Sequence, residues 1–500
     1  MFRIRKVPTG SGSTAVQVVQ SGGHEIKVVK HLGSANSQQV VGELTSAARL
    51  WIETHSPQLP LFPKTDGKNE TTLSSEHLEL LATRPVLIHH LFLATTRLFG
   101  FNQLVDKIII DLVFMRLVEP ASKAASIHIL SSEYGIVHSL RSLQRKLKTV
   151  TKNKTAIEGK AANYARDHLG FDYTIVFYDV TTLYFESFKT DEVGEGVKRP
   201  GFSKDNKHQQ PQIVLGLVVT RDGFPVEFKT FAGNKFEGHT LIPSLKQFKR
   251  RHQTDSLTVV ADAAMISQKN ILSLKEEGVH YIVGARLANL SQDITDQIDT
   301  TLPRTDQANI RLQVEGKGIL ICQYSRKRAA KDKHETKKQV NKAKQTLKTP
   351  SKATKRLKFI RQTKSEKLSF NKDLFEKTKK LWGIKGYYTD QGQLTNQEII
   401  DHYHNLWQVE KAFRMSKSDL QVRPMYHYKT EHIIAHLLIC FMALCIAKHW
   451  ERKTNLSIKK VIKLLKNIQD ASIEDTLTQR TLTLRKRLTL DEKLIVEKLT

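Results

Sequence analysis

Cysteine is scarce in this chain. Cys322, Cys440 and Cys445 are the only three in 500 residues, which excludes a disulfide framework and a Cys-based zinc site. Long apolar runs are also missing. The longest, Ile433 to Ala447, is about fifteen residues and is interrupted by His436, short of the roughly 18–20 that span a bilayer. It reads as a buried core helix in which Cys440 and Cys445 serve as small apolar residues. The opening MFRIRKVPTG has no apolar h-region, so no secretory signal is expected. The Gly-rich TGSGST at 9–14 lacks the Gly-Lys-Ser/Thr ending of a phosphate-cradling loop and reads as a turn. His402 and His404 are two residues apart and cannot share a helix face, which argues against a histidine zinc site. Acid is short relative to base, with 50 Asp+Glu against 79 Lys+Arg, a net charge of +29 and a pI of about 9.8. Such a chain expects a polyanionic partner, nucleic acid ahead of an anionic membrane surface. A soluble, cytoplasmic protein with no membrane association is the expectation.

The length suggests roughly three domains. Residues 1–54 read as a small β/α region, with RIRKV, TAVQVVQ and EIKVVKHL as short strands and a helix from Ser37 to Glu53. Residues 55–75 are polar and proline-bearing, a linker. From 76 to 170 the apolar positions follow a helical period, and Leu140 to Val150 forms a basic helix, a DNA-binding region in prospect. At Phe171 the pattern changes. TIVFY ends in Asp179; QIVLGLVV and FPVEFKTF follow, joined by the hairpin signal Thr-Arg-Asp222-Gly223. A helix, the strand SLTVVA ending in Asp262, another helix and the strand HYIVGA complete a mixed α/β sheet over 171–287. Residues 288–381 break the pattern. A β-like piece, NIRLQVEGKGILICQY, leads into Arg326–Lys380, where 21 Lys+Arg face only 5 Asp+Glu. This basic, partly β insertion reads equally as a solvated, partly disordered segment and as a surface for phosphate backbones that binds without reading sequence, and the two can hold together. KGYYTD resumes a strand in a second core part, 382–450, and 451–500 reads as basic and helical.

Three carboxylates stand out by order and context: Asp179 after the first strand of the sheet, Asp262 after the fourth, and Glu410 on a late helix. Open α/β sheets bind ligands beyond the carboxyl ends of their strands. Hard oxygen donors suit Mg²⁺, which keeps positions open for water and phosphate oxygens, and a pair of such ions suits phosphodiester displacement. Taken singly, Asp179 or Asp262 reads equally well as a turn or helix cap. Around Glu410, the run YHNLWQVEKAFRMSKSDL spaces Tyr403, Leu406, Glu410 and Lys417 by three, four and seven residues, which a continuous helix would return to one face. Trp407, Phe413 and Met415 in the same run read as helix packing. Lys204 and Lys207, between the first two strands, are possible DNA contacts, with solvated loop lysines as the default.

With these residues the chain resembles the DDE transposases of bacterial insertion sequences, in the group with a Tyr-x2-Arg-x3-Glu-x6-Lys signature. Here Leu406 stands in the Arg position. Further similarity lies in RLVEPASKAAS (116–126), FYDVTTLYFES (177–187), GFSKDNKHQQPQIVLGLVV (201–219), FAGNKFEGHT (231–240), VVADAAM (259–265) and EKAFRMSKSDLQVRPMYH (410–427). The resemblance implies an RNase H-like core interrupted between the second Asp and the Glu by an inserted domain. Asp179, Asp262 and Glu410 would be both catalytic residues and ligands of Mg²⁺, with Mn²⁺ as a possible substitute. Tyr403 and Lys417 would contact DNA, with Arg414 or Lys411 offering a substitute for the missing Arg. The implied reaction cuts the transposon end to free a 3′-hydroxyl, which then attacks target DNA; in related enzymes a hairpin forms before release. The implied partners are double-stranded DNA, as terminal inverted repeats and target, and a second copy of the chain in a synaptic homodimer. The implied location is the nucleoid of a bacterial cytoplasm. Alternatives are a catalytically silent DNA-binding descendant and a stand-alone RNase H-like nuclease.

Overall fold

The computed structural model describes residues 2–22, 25–55, 77–191, 196–202, 209–265, 267–348, 357–362, 368–476 and 479–500. The proposed linker lies almost wholly outside them, as do Lys204 and Lys207. Backbone contacts divide the chain into one unit of 1–91, 132–135 and 460–500, and another of 92–131 and 136–459.

The first unit begins with three antiparallel strands, β1 (Phe2–Pro8), β2 (Thr14–Gly22) and β3 (Glu25–Ala35), followed by helix α1 (Gln38–His55). The strands are rich in Val and Ile, which fit a pleated surface buried on one side. Val16, Val18 and Leu32 on the sheet close against Leu44, Ala47 and Ala48 on the helix. Strand β4 (Leu78–Arg84) follows, where helix was expected.

In the second unit, α2 (Val86–Phe99) leads from the first unit into α3 (Lys107–Val118), α4 (Lys123–Tyr134), α5 (Leu140–Val150) and α6 (Lys154–Leu169). Asp106 caps α3 by accepting from the Ile108 amide, and Gly170, at φ 66°, closes α6 in the left-handed region. Then come β5 (Ile175–Tyr184), β6 (Gln212–Val219), β7 (Pro225–Ala232), α7 (Leu241–His252), β8 (Leu257–Ala261), α8 (Gln268–Glu276) and β9 (Val279–Ala285). They pair in the order β7-β6-β5-β8-β9. The β5–β6 and β6–β7 pairs are antiparallel, and the β5–β8 and β8–β9 pairs are parallel. That is the RNase H-like arrangement, and β6 and β8 are buried along their whole length, as strands covered on both faces must be.

The basic insertion is more ordered and more continuous with the core than its sequence suggests. After α9 (Gln292–Thr301), β10 (Asn309–Val314) and β11 (Gly318–Tyr324) form a hairpin. The lysine-rich tract is largely one helix, α10 (Arg326–Lys348), followed by the small pair β12 (Ile360–Gln362) and β13 (Leu368–Phe370), and by α11 (Lys372–Lys380). Strand β14 (Ile384–Thr389) pairs with β9 on one side and β11 on the other, so the hairpin extends the core sheet to eight strands instead of standing apart.

Next come α12 (Asn396–His404), α13 (Trp407–Arg414) and α14 (Thr430–Thr454). Among the described residues α14 alone is long and apolar enough to cross a membrane, and 78% of its most apolar window is buried inside the protein. It packs on α3, α5 and β7, the core helix expected from its length. The chain ends with α15 (Ile458–Lys466), β15 (Asp470–Asp475), β16 (Arg480–Arg485) and α16 (Leu490–Leu499). The all-helical expectation for this end is corrected, because β15 pairs with β16 and, across nearly 400 residues of chain, with β4. Neither β4 nor β15 alternates cleanly, and pairing between such distant segments leaves no local mark.

Candidate active site

Two of the three expected carboxylates are neighbours by strand register. In the parallel β5–β8 pair Tyr178 lies opposite Ala261, so the residues that follow, Asp179 and Asp262, come side by side at a strand spacing of about 4.8 Å. Asp262 leaves β8 as expected. Asp179 does not end its strand, because VTTLY continues β5 to Tyr184 against β6. Thr and Tyr are strand formers, and the antiparallel partner supplies the hydrogen bonds that β8 no longer offers. Asp179 is half-buried and accepts from the Val180 amide at 2.7 Å. Asp262 is exposed and accepts from the Ala263 amide at 2.7 Å.

Glu410 arrives on α13, which buries Val409, Ala412 and Phe413 and packs on β5 and β6. The carboxylate itself is exposed. The single helical face read from the spacing is corrected here. α12 ends at His404, α13 begins anew at Trp407, and Met415–Asp419 forms a π-helical turn. Tyr403 therefore does not stand above Glu410 on one surface. It is buried beside β9 and β14, and its hydroxyl donates to Asp262 Oδ1 at 3.3 Å. Burial pushes its phenol well up, and the charges of Asp262 and Glu410 add to that push.

A lysine that the sequence reading passed over completes this corner. Lys385 on β14 lies 4.8 Å from the centre of the Tyr403 ring and 5.5 Å from that of Tyr387. Burial pulls its ammonium down, with Arg328 adding to this, while Asp262 and Glu410 both oppose the shift. One cation thus senses both acids. Gly284 on β9 makes room for the arrangement, since a Cβ there would lie 2.5 Å from the Tyr403 hydroxyl. A lysine inside the strand KGYYTD and a glycine inside HYIVGA were the available signals. Lys385 also lines a groove of about 580 Å³ between the core sheet and the insertion, with Arg286, Arg328, Lys358 and Lys377.

The remaining expected residues are spread along the same segment. Leu406, in the Arg position, is buried at the start of α13. Lys411 is paired with Glu451 at 3.3 Å, Arg414 is exposed, and Lys417 is half-buried in the π turn. Phe413 and Met415 are core residues, whereas Trp407 is half exposed.

The donor set fits a divalent cation in kind, since all three side chains are hard carboxylates. It is not drawn into a closed cage: among the described residues no three His, Cys, Asp or Glu side chains lie close enough to share an ion. Carboxylates at one spot repel one another, so close convergence costs free energy to the protein by itself.

No curated protein matches the chain. Among solved structures it is similar to a piggyBac transposase synaptic complex with hairpin DNA, at 10% identity over 77% of this chain and 79% of that one, TM-score 0.40. It is also similar to a Mos1 transposase paired-end complex with the left transposon end, at 14% identity over 48% of this chain and 66% of that one, TM-score 0.16. The family model for the transposase DDE domain matches residues 170–446, from just before β5 to within α14. With more than half of its length in that match and an RNase H-like sheet beneath it, the chain belongs to the transposase DDE domain family, enzymes that cut DNA with divalent metal ions.

Proposed function

We propose that this transposase binds the terminal inverted repeats of an insertion sequence as a dimer, cleaves their ends and joins them to target DNA, with Asp179, Asp262 and Glu410 as its catalytic carboxylates. The observation that carries the reading is the register of Asp179 and Asp262 on adjacent parallel strands, with the helix of Glu410 packed on the same β5. These three side chains would hold the divalent ions, Mg²⁺ by preference and Mn²⁺ as a substitute. Bound there, such ions supply Lewis acidity for the attacking and departing oxygens of a phosphodiester.

The chain's own residues do the positioning. Backbone amides of Val180 and Ala263 each fix one oxygen of their aspartate. Tyr403 orients Asp262 from a buried position, and Lys385 lowers the mutual repulsion of Asp262 and Glu410. Basic groups around them, including Arg414 and Lys417, favour a phosphate backbone. A role for Lys411 requires it to leave Glu451.

The test is to incubate the protein with a labelled transposon end and Mg²⁺ beside the Glu410→Gln variant. Metal-dependent nicking at the repeat boundary, absent in the variant, supports the reading. Tight binding without cutting by either protein would replace it with a silent DNA-binding descendant.

A further inference from the structure

Five basic side chains outside the proposed reaction converge where α3, α4 and α14 meet the segment after the π turn. Arg116 comes from the end of α3 and Lys123 from the start of α4. His427 comes from the segment, and His432 and His436 from the first turns of α14. Lys123 Nζ lies 2.6 Å from His427 Nε2 and 3.4 Å from His436 Nδ1. The His427 ring is centred 6.4 Å from that of His432 and 5.3 Å from that of His436. Nε2 of His436 donates to the Val422 carbonyl at 3.0 Å, so its Nδ1 is left to accept from Lys123. Lys123 is thus an ammonium held by two imidazole lone pairs, with a third proton to give.

Arg116 is only 8% exposed. Its Nη atoms donate to the carbonyls of Leu420 at 3.5 Å, Gln421 at 3.3 Å and Ala121 at 3.0 Å, while Nε is buried without an acceptor. Nε2 of His432 is buried and unpartnered in the same way. A guanidinium cannot discharge itself, and buried positive charge without an anion is costly. Among the described residues no salt bridge joins any of the five to a carboxylate, and Glu431 acts electrostatically on His432. Burial, and then Arg116, pull Lys123 down to about 7, and burial followed by Lys123, His432 and Arg116 pulls His427 down to about 3. The cluster lacks an anion, and it is within reach of one, since Lys123, His427 and His432 are only half-buried. Lys148 and Lys429 add positive potential at its rim.

We propose that this cluster is a phosphate site that grips one phosphodiester of the DNA backbone, with Lys123 and His432 donating and Arg116 supplying charge from behind. It rests on the reading that the chain binds DNA. A diester brings one negative charge and acceptor oxygens but no base edge, so the grip positions the duplex and reads no sequence. Arg116 and His436 also hold the carbonyls of Leu420, Gln421 and Val422, directly after the π turn. A phosphate fixed here is therefore fixed relative to Lys417 and α13.

The test compares full-length wild type, Lys123→Gln and His432→Gln in duplex titrations at several salt concentrations, and on duplexes carrying one neutral methylphosphonate at each position in turn. Wild type should show a backbone position whose neutralisation weakens binding severalfold, and both variants should lose sensitivity at that same position. Lys123→Gln should also reduce the slope of log K against log salt by about 0.9. Variants that melt lower but keep the wild-type methylphosphonate profile would reduce the cluster to a structural tie and overturn the proposal. Should Lys123→Gln fail to fold, the half-buried His432→Gln decides alone, on the profile. A wild type that binds no DNA at any salt overturns the DNA reading as well, which separates the two failures.

Discussion

The parallel core strands and the lysine-rich helix lie in one unit and are ordered by opposite means. β8 is buried at every position, and its order comes from apolar area removed from water, roughly 1.5–3 kcal/mol for each large side chain. α10 runs 23 residues and buries only Thr336 and Ala343. Its lysines stack at helical spacing, Lys333 over Lys337 and Lys344 over Lys348, and such like-charge pairs each cost about 0.2–0.5 kcal/mol. Helix propensity and a few pairs, such as Arg328 with Asp332 at 3.5 Å, offset that cost. β8 is held by apolar contacts within the chain. The insertion instead keeps a large surplus of positive charge exposed on its surface.

The largest effect expected on this contrast is at the carboxylates. Asp179→Asn, Asp262→Asn or Glu410→Gln should each reduce cleavage by on the order of 10²–10³-fold or more while leaving duplex affinity within a fewfold. Near-normal cutting by any one of them would remove it from the set. Phe177→Ala, at a fully buried position of β5, should cost about 3–5 kcal/mol in denaturant unfolding. A loss under 1 kcal/mol would mean that the sheet is far less close-packed than its burial implies.

Acid should weaken the buried part. His427 is pulled from 6.5 to about 3 and His449 from 6.5 to about 4, mainly by burial. Between pH 6.5 and those values the unfolded chain takes up protons that the folded chain refuses, so stability falls as pH falls through that window. Melting temperature followed from pH 7 to pH 4 reads this, and His449→Gln should flatten the curve. A smaller effect is expected at the site's supporting residue. Tyr403→Phe removes the hydroxyl that donates to Asp262 and should cost about 0.5–1.5 kcal/mol, seen as up to a tenfold loss in cleavage. Gly284→Ala should act in the same direction by displacing that hydroxyl. The least change in stability belongs to α10. Reversing the exposed Lys333, Lys337 and Lys344 to Glu should leave stability within about 0.5 kcal/mol per site. It should nevertheless lower affinity for every duplex and flatten the salt dependence. An unchanged salt slope would turn the helix's charge away from DNA.

Much of the fold was legible because it is written in local pattern. Continuous apolar runs marked β5, β6 and β8, the Asp222-Gly223 turn marked a hairpin, and the length of the apolar run marked α14 as a core helix. Legibility failed where neighbours decide. LELLATR at 78–84 reads as helix by composition and becomes a strand through β15. The even spacing of Tyr403, Leu406, Glu410 and Lys417 promised one face, and the breaks at Asn405 and Met415 distribute those residues over three elements.

By itself the sequence determined the identity and order of the carboxylates, the surplus of positive charge and the alternation of strands and helices, because each depends on residue type or on a few neighbouring positions. Only the tertiary structure decided that Asp179 stands beside Asp262, that Tyr403 turns inward to Asp262 under Lys385, and that Arg116, Lys123 and three histidines share one pocket of charge. Those are contacts between residues up to about 300 positions apart. Loop closure must be overcome before such contacts return any free energy, so no local pattern encodes them, and the packed core alone selects among them.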